Sequence, residues 1–269
     1  MRVDSNDSFL GCAKYIYFIG ESHCLPYRNV LFRPSLTDDI SLCRVRFIQV
    51  LASRFSNEAG TNLHGDILTA LQGEQLIDNQ GAPTHLANDR QASRVAEVSG
   101  ITAISPPIVL FAGDLDVFGL LRQMGAGYDF ELPEDPGYGV NRALEPIQFS
   151  ILHDQLTKAF QPLLMACKIL KEKGFNQLIV HSLPPRVRDT AKQAWSGVLA
   201  ESQVRAKLTL LANRILQDAC NLADIAFIDI WDNIIDEGGY LLSEYALDGI
   251  HLNRSAALIS LQNITAKIS

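Results

Sequence analysis

The segment that decides the fold lies near the start of the chain and runs Tyr15-Ile16-Tyr17-Phe18-Ile19-Gly20-Glu21-Ser22-His23. Its first five residues are apolar and either β-branched or aromatic, which is typical of a buried strand. Gly20 permits a tight turn where that strand ends. A serine beyond such a strand lies at the carboxyl edge of the sheet, where open α/β sheets bind ligands. Ser22 also has a simpler interpretation, as the N-cap of the next helix.

Working outward from this segment, apolar and alternating stretches predict a parallel sheet. We expect strands at about 14–19, 45–50, 108–112, 177–181 and 225–230. Helical spacing predicts helices beginning near 67 and spanning 148–173, 201–222 and 255–268, with a further one near 88–98. Residues 28–44 show no regular pattern, and 122–146 is predicted to be a long loop. Strands that alternate with helices indicate a parallel sheet covered on both faces, and nothing divides 1–269 into separate domains.

Composition excludes several classes of function. Hydrophobic residues make up 47% of the 269 residues, enough for a core without disulfides or metals. No apolar run reaches the roughly 18 residues that span a bilayer, and the polar N-terminus does not resemble a signal peptide, so we expect a cytoplasmic protein. A net charge of −7 gives no sign of a nucleic-acid partner. The five scattered cysteines match neither a zinc site nor a disulfide framework.

A second segment, Asp248-Gly249-Ile250-His251, follows the last predicted strand. The three-residue spacing lets the aspartate accept a hydrogen bond from one imidazole nitrogen while the other nitrogen faces outward. A serine hydroxyl is a weak nucleophile until a base takes its proton. Ser22 after the first strand and His251 after the last therefore form a chemically sensible pair, with Asp248 as the partner of the histidine.

Four blocks in order resemble the SGNH (GDSL-like) hydrolase family over nearly the whole chain. They are Gly20-Glu21-Ser22-His23, with Glu where the family usually has Asp; Gly113-Asp114-Leu115-Asp116, in place of Gly-x-Asn-Asp; His181-Ser182-Leu183-Pro184-Pro185-Arg186; and Asp248-Gly249-Ile250-His251-Leu252-Asn253. The last block is the most specific of the four. Because Cys24 stands where a G-x-S-x-G motif needs glycine, the α/β-hydrolase elbow is not indicated.

The resemblance implies a flavodoxin-like three-layer α/β/α fold with a mostly parallel five-stranded sheet. It further implies an ester hydrolase in which Ser22 is the nucleophile, His251 the general base and Asp248 its partner. The expected partner is a small-molecule or glycan ester substrate, and no metal or organic cofactor is expected. The oligomeric state stays open.

The resemblance is incomplete at the oxyanion hole. The family uses the N–H of the serine, a glycine N–H after the second strand, and the Asn side chain of Gly-x-Asn-Asp. Here Leu115 stands at the position of that Asn, and the second donor aligns with Val50 or, alternatively, Gly65. Losing one donor typically lowers the rate by about 10² to 10³. Some relatives that act on cell-surface sugars carry Gly-Glu-Ile-Asp at this block, which favours a carbohydrate-linked role.

Several residues keep two interpretations. His23 either binds substrate or packs locally, and His181 either lines the cleft or lies in the core. Asp114 and Asp116, next to Gly113, either act as acid–base groups or cap a helix and hold active-site loops. At the level of the whole chain, a glycan- or acyl-binding module without turnover and an acyltransferase that uses the same triad are the alternatives to a hydrolase.

Overall fold

The computed structural model describes residues 14–33, 41–57, 59–84, 105–133, 136–189 and 199–268. The helix predicted near 88–98 lies outside these residues. The strands are β1 (Lys14–Gly20), β2 (Leu31–Phe32), β3 (Ser41–Phe47), β4 (Ile108–Phe111), β5 (Tyr128–Asp129), β6 (Glu145–Pro146), β7 (Leu178–His181) and β8 (Ala226–Ile228). The helices are α1 (Gly65–Gly73), α2 (Asp114–Met124), α3 (Phe149–Glu172), α4 (Ser202–Leu222), α5 (Trp231–Ile234) and α6 (Arg254–Ile268).

The central sheet has the strand order β2-β3-β1-β4-β7-β8. The last five strands in that order are mutually parallel, and their order by appearance in the chain is that of a flavodoxin-like sheet. The predicted fold class is confirmed, but the sheet has six strands and not five. The additional strand, β2, pairs antiparallel with β3 over two residues. A strand this short leaves no alternation for a sequence pattern to reveal.

The second strand of the prediction lies earlier in the sequence than its alternating pattern indicated. β3 pairs with β1 from Ser41 to Phe47, whereas the alternating pattern placed the strand at 45–50. At the end of the strand, the N–H of Ile48 donates to the carbonyl of Gly20 at 2.7 Å, and the chain then leaves the sheet. The pairing of β3 with β1 therefore sets the bounds of β3. That pairing cannot be derived from the sequence of β3 alone.

Two apolar clusters cover the two faces of the sheet. Side chains alternate along β1, so Ile16 and Phe18 belong to one cluster and Ile19 to the other. Helices α2, α3 and α4 pack on the Ile19 side, and α6 packs against the segment after β1 on the opposite side. This arrangement leaves the carboxyl ends of the parallel strands as a common edge.

The predicted loop at 122–146 has more structure than expected. It contains the end of α2, a short 3-10 helix at Pro136–Tyr138, and a two-stranded parallel ribbon of β5 and β6. Lys207 of α4 reaches into it, and its buried Nζ donates to the carbonyls of Phe130 and Gly139 at 2.6 and 3.0 Å. Among the residues that the structure describes, none of the helices is both long and apolar enough to cross a membrane.

Candidate active site

Ser22 lies immediately beyond the end of β1. The last residue of the strand, Gly20, has a φ of 153°, and a Cβ there would lie 2.0 Å from the carbonyl oxygen of Phe111, so only glycine fits. Ser22 begins a short 3-10 helix that ends at Tyr27, and Glu21 occupies its N-cap position. Ser22 is thus not the N-cap, and its hydroxyl makes a different contact.

Ser22, His251 and Asp248 form a linear hydrogen-bonded set. The Nε2 atom of His251 lies 2.8 Å from Oγ of Ser22, and its Nδ1 atom lies 2.8 Å from Oδ2 of Asp248. His251 is partly exposed and Asp248 is exposed, so the set faces solvent at the carboxyl edge of the sheet. In this arrangement a carboxylate orients an imidazole, and the imidazole can take a proton from the serine hydroxyl.

Asp248 is fixed by the turn that carries it. Its Oδ1 atom accepts hydrogen bonds from the backbone N–H groups of Ile250 and His251, each at 2.7 Å. Partial burial raises the pKa of Asp248, but these N–H groups and the His251 ring outweigh burial and lower it below its ordinary value. The carboxyl group is therefore ionised near neutral pH.

Glu21, which precedes Ser22, ties the nucleophile turn to the start of α2. Its buried carboxyl accepts hydrogen bonds from the N–H of Gly113 at 3.0 Å and of Leu115 at 3.3 Å. Burial, followed by the Asp114 and Asp116 carboxylates, raises the pKa of Glu21 well above its ordinary value. Gly113 has a φ of 110° and occupies the N-cap position of α2. Glu21 thus satisfies two N–H groups that a helix start leaves unpaired.

His23, which follows Ser22, is buried and bound to the same helix. Its Nε2 atom lies 2.9 Å from Oδ2 of Asp114, and Oδ1 of Asp114 accepts from the Arg186 guanidinium. Burial raises the pKa of Asp114, but Arg186 and His23 overcome that effect and lower it below the ordinary value. Asp114 is consequently held as an anion inside a buried ion pair.

The two acids of the Gly-Asp-Leu-Asp block take different roles. Whereas Asp114 faces inward, Oδ2 of Asp116 accepts from the N–H of Ala52 at 2.7 Å and so holds the loop after β3. Val50 belongs to that loop, and its side chain is buried in the core. Gly65 is the exposed first residue of α1, and among the described residues no hydrogen bond links it to Ser22 or His251.

Two backbone N–H groups at the start of α2, those of Gly113 and Leu115, do not replace the missing oxyanion amide. Leu115 is half-buried, and its N–H donates to Glu21. The N–H of Gly113 donates to Glu21 as well, so neither of these backbone groups is available to a substrate oxygen. Among the described residues, no group of three His, Cys, Asp or Glu side chains could hold a metal ion.

Comparisons with known proteins find similarity to solved structures only. A scan against protein-family models and a search of curated proteins give no match. Among solved structures, a candidate platelet activating factor from Streptococcus pneumonia is similar at 14% identity and a TM-score of 0.53, over 96% of this chain and 85% of that one. A GDSL-like lipase from Bacteroides thetaiotaomicron is similar at 14% identity and a TM-score of 0.46, over 95% and 88%. An aryl esterase from M. smegmatis is similar at 14% identity and a TM-score of 0.41, over 95% and 100%.

At 14% identity, the likeness to the Streptococcus pneumonia protein concerns the fold alone. The chain shares a flavodoxin-like α/β fold with that protein. Within this fold, the Ser22 turn and the Asp248–His251 turn are the segments that meet above the carboxyl ends of the strands.

Two residues near the candidate site, His181 and Cys24, are buried. His181 is buried, not in the cleft: its Nε2 lies 2.7 Å from Oγ of Ser260 and 3.2 Å from the hydroxyl of Tyr27. Burial lowers the pKa of His181 to about 4. Burial also raises the pKa of the Cys24 thiol to about 12, so Cys24 stays a neutral thiol near pH 7.

Sequence reasoning missed two partners in the candidate site. Glu21 was noted only as a departure from the family's Asp, and Arg186 only as part of the Leu-Pro-Pro-Arg stretch. The available signal was local: Glu21 is a charged residue between a buried strand and Ser22, and Arg186 is a charged residue at the end of a block that follows a buried strand. Neither partner could be identified, because 92 positions separate Glu21 from Gly113 and 72 separate Arg186 from Asp114.

Proposed function

We propose that this protein is a serine ester hydrolase of the SGNH type that works through an acyl-enzyme on Ser22. One observation carries the proposal: the 2.8 Å contact between Ser22 Oγ and His251 Nε2, continued by the 2.8 Å contact between His251 Nδ1 and Asp248. A nucleophile, a base within hydrogen-bond reach and a group that orients the base are what acyl transfer to serine requires.

In the first half-reaction, Ser22 Oγ attacks the carbonyl carbon of the ester while its proton passes to Nε2 of His251. The Asp248 carboxylate stabilises the imidazolium that forms and keeps Nδ1 protonated. The tetrahedral intermediate then collapses, the bond to the alcohol breaks, and His251 returns the proton to the departing oxygen. The product is an ester of Ser22 with the acyl group.

In the second half-reaction, water attacks the acyl-enzyme with His251 again as base, and Ser22 leaves with its proton restored. The Ser22 N–H and the N–H of Val50 are the proposed donors to the oxyanion, since a backbone N–H from any residue except proline can serve. Leu115 supplies no side-chain donor, so we expect slower turnover than three donors would give.

For the substrate, we propose an acylated carbohydrate or another small acyl ester. The support is the similarity of Gly113-Asp114-Leu115-Asp116 to the Gly-Glu-Ile-Asp of relatives that act on cell-surface sugars. Transfer to a sugar hydroxyl in place of water would use the same acyl-enzyme and is the alternative within this class.

The test measures hydrolysis of p-nitrophenyl acetate and butyrate, and labelling by a fluorophosphonate, for wild type and Ser22→Ala. We expect wild type to turn over and to label, and Ser22→Ala to do neither. A wild-type protein that neither labels nor turns over contradicts the proposal. The second candidate function is a binding module without turnover, which is suggested by the absence of a side-chain amide at Leu115. Saturable glycan binding that is the same in wild type and Ser22→Ala would then favour it.

A further inference from the structure

A buried chain of polar side chains lies beside Ser22 and is not used in the mechanism above. His23 Nε2 lies 2.9 Å from Oδ2 of Asp114, whose Oδ1 accepts from the guanidinium of Arg186. Each of these three residues is at most 3% exposed. At the far end, Nε of Arg186 donates to Oγ1 of Thr209 at 2.9 Å, which anchors the chain on α4. Arg186 also lies over the Phe118 ring, at 4.5 Å from its centroid.

The buried set of His23, Asp114 and Arg186 includes atoms that lower the stability of the folded protein. The Nδ1 atom of His23 and the NH1 atom of Arg186 are buried and have no hydrogen-bond partner among the residues that the structure describes. A buried polar atom without a partner destabilises the folded state, and apolar residues often replace a buried ion pair without loss of stability. An apolar ring at position 23 would avoid the first of these costs. The polar edge of His23 therefore calls for another explanation.

The position of His23 offers that explanation. His23 follows Ser22 directly in the 3-10 helix, and its ring centroid lies 5.2 Å from that of His251 with an interplanar angle of 40°. Asp114 restrains the ring through Nε2, and Arg186 restrains Asp114. One side chain thus packs against the proposed base and shares a backbone with the proposed nucleophile.

We infer that His23 is a positioning residue for the reaction at Ser22: through its bond to Asp114, which Arg186 holds in turn, the His23 side chain keeps the Ser22 hydroxyl and the His251 imidazole in contact. This inference rests on the proposed function. Reacting groups misplaced by about 1 Å can lose about 10² in rate. A release of the His23 ring should therefore lower kcat and leave substrate binding largely intact.

The experiment compares His23→Phe with His23→Gln in the full chain. Phenylalanine keeps a ring of similar shape but cannot bind Asp114, whereas the glutamine amide can place an N–H near the position of Nε2. For His23→Phe we expect kcat for p-nitrophenyl acetate to fall by about 10- to 100-fold, with KM within about threefold of wild type. The rate of fluorophosphonate labelling should fall by the same factor as kcat. His23→Gln should recover most of both rates.

Wild-type rates in both variants would overturn the inference. So would equal losses in both variants, or a change confined to KM or to the unfolding temperature. Where His23→Phe does not fold, His23→Asn, which is too short to reach Asp114, replaces it against His23→Gln with the same expectations. A wild-type protein that labels at Ser22 leaves the proposed function standing in each of these outcomes. A wild-type protein that does not label overturns the proposed function itself.

Discussion

His251 Nε2 lies 2.8 Å from Ser22 Oγ, although 229 positions separate the two residues in the chain. The contact forms because β1 delivers Ser22 to the carboxyl edge of the sheet and the turn before α6 brings His251 over the same edge. In the free protein the two side chains are already within proton-transfer distance. The proposed first step therefore needs no rearrangement of either one, and the predictions below test what this contact and its surroundings do.

Replacing His251 with alanine removes the proposed base, so we expect kcat/KM to fall by at least about 10³. Asp248→Asn should lower kcat/KM by less, because His251 is still present and only the carboxylate charge that orients its ring is removed. The measurement is kcat/KM at neutral pH for the three proteins.

Circular dichroism supplies the control that both variants fold. The lowered pKa of Asp248 means that its carboxylate is ionised at the neutral pH of the assay, so Asp248→Asn removes a charge. A folded His251→Ala protein with near wild-type activity would remove His251 from the mechanism, and with it the main reason for choosing Ser22 as nucleophile.

Leu115→Asn should restore a side-chain amide at the second position of α2. If that amide reaches the oxyanion, kcat/KM should rise by about 10-fold or more, because one such donor is typically worth about 10² to 10³. Leu115→Ala is the matched control, since it removes the same apolar side chain without adding a donor. Equal rates for the Asn and Ala variants would show that an amide at position 115 does not stabilise the transition state.

Glu21→Gln should change how stability depends on pH. Burial and two neighbouring carboxylates raise the pKa of Glu21, so the folded protein holds this proton more tightly than the unfolded chain. Between the ordinary and the raised pKa, the folded state binds more protons, and its stability falls as pH rises. Glutamine has the shape of the protonated acid and does not titrate. Urea unfolding at pH 5 to 8 should therefore show the variant gaining stability relative to wild type as pH increases; a constant difference would contradict the raised pKa.

His181 should produce the opposite dependence. Burial lowers its pKa to about 4 from an ordinary value of 6.5, so its stabilising effect is complete above pH 6.5 and is lost as pH falls toward 4. The loss amounts to at most about 3 kcal/mol. His181→Gln keeps a hydrogen-bonding side chain that does not titrate, so its unfolding free energy should fall less between pH 7 and 4.5. Parallel curves for variant and wild type would show that His181 titrates normally.

Periodicity predicted most of the regular structure because it is a local property. The prediction of a helix over 148–173 corresponds to α3 at Phe149–Glu172, and that of a strand over 108–112 to β4 at Ile108–Phe111. Strand β2 escaped prediction because its stability comes from pairing with β3 and not from its own two residues. The bounds of β3 were wrong for a related reason, since the register with β1 fixes them.

By itself, the sequence determined the alternation of strands and helices, the glycine that ends β1, and the Asp-x-x-His spacing that places an aspartate on its own histidine. Each of these depends on residues close together in the chain, where side-chain size and backbone freedom act directly. Only the tertiary structure decided that Glu21 binds the start of α2, that Arg186 neutralises Asp114, and that His23 and His181 lie in the core. Those outcomes depend on which distant groups are buried together, because a buried charge or N–H must find a partner among whatever groups the packing brings within reach.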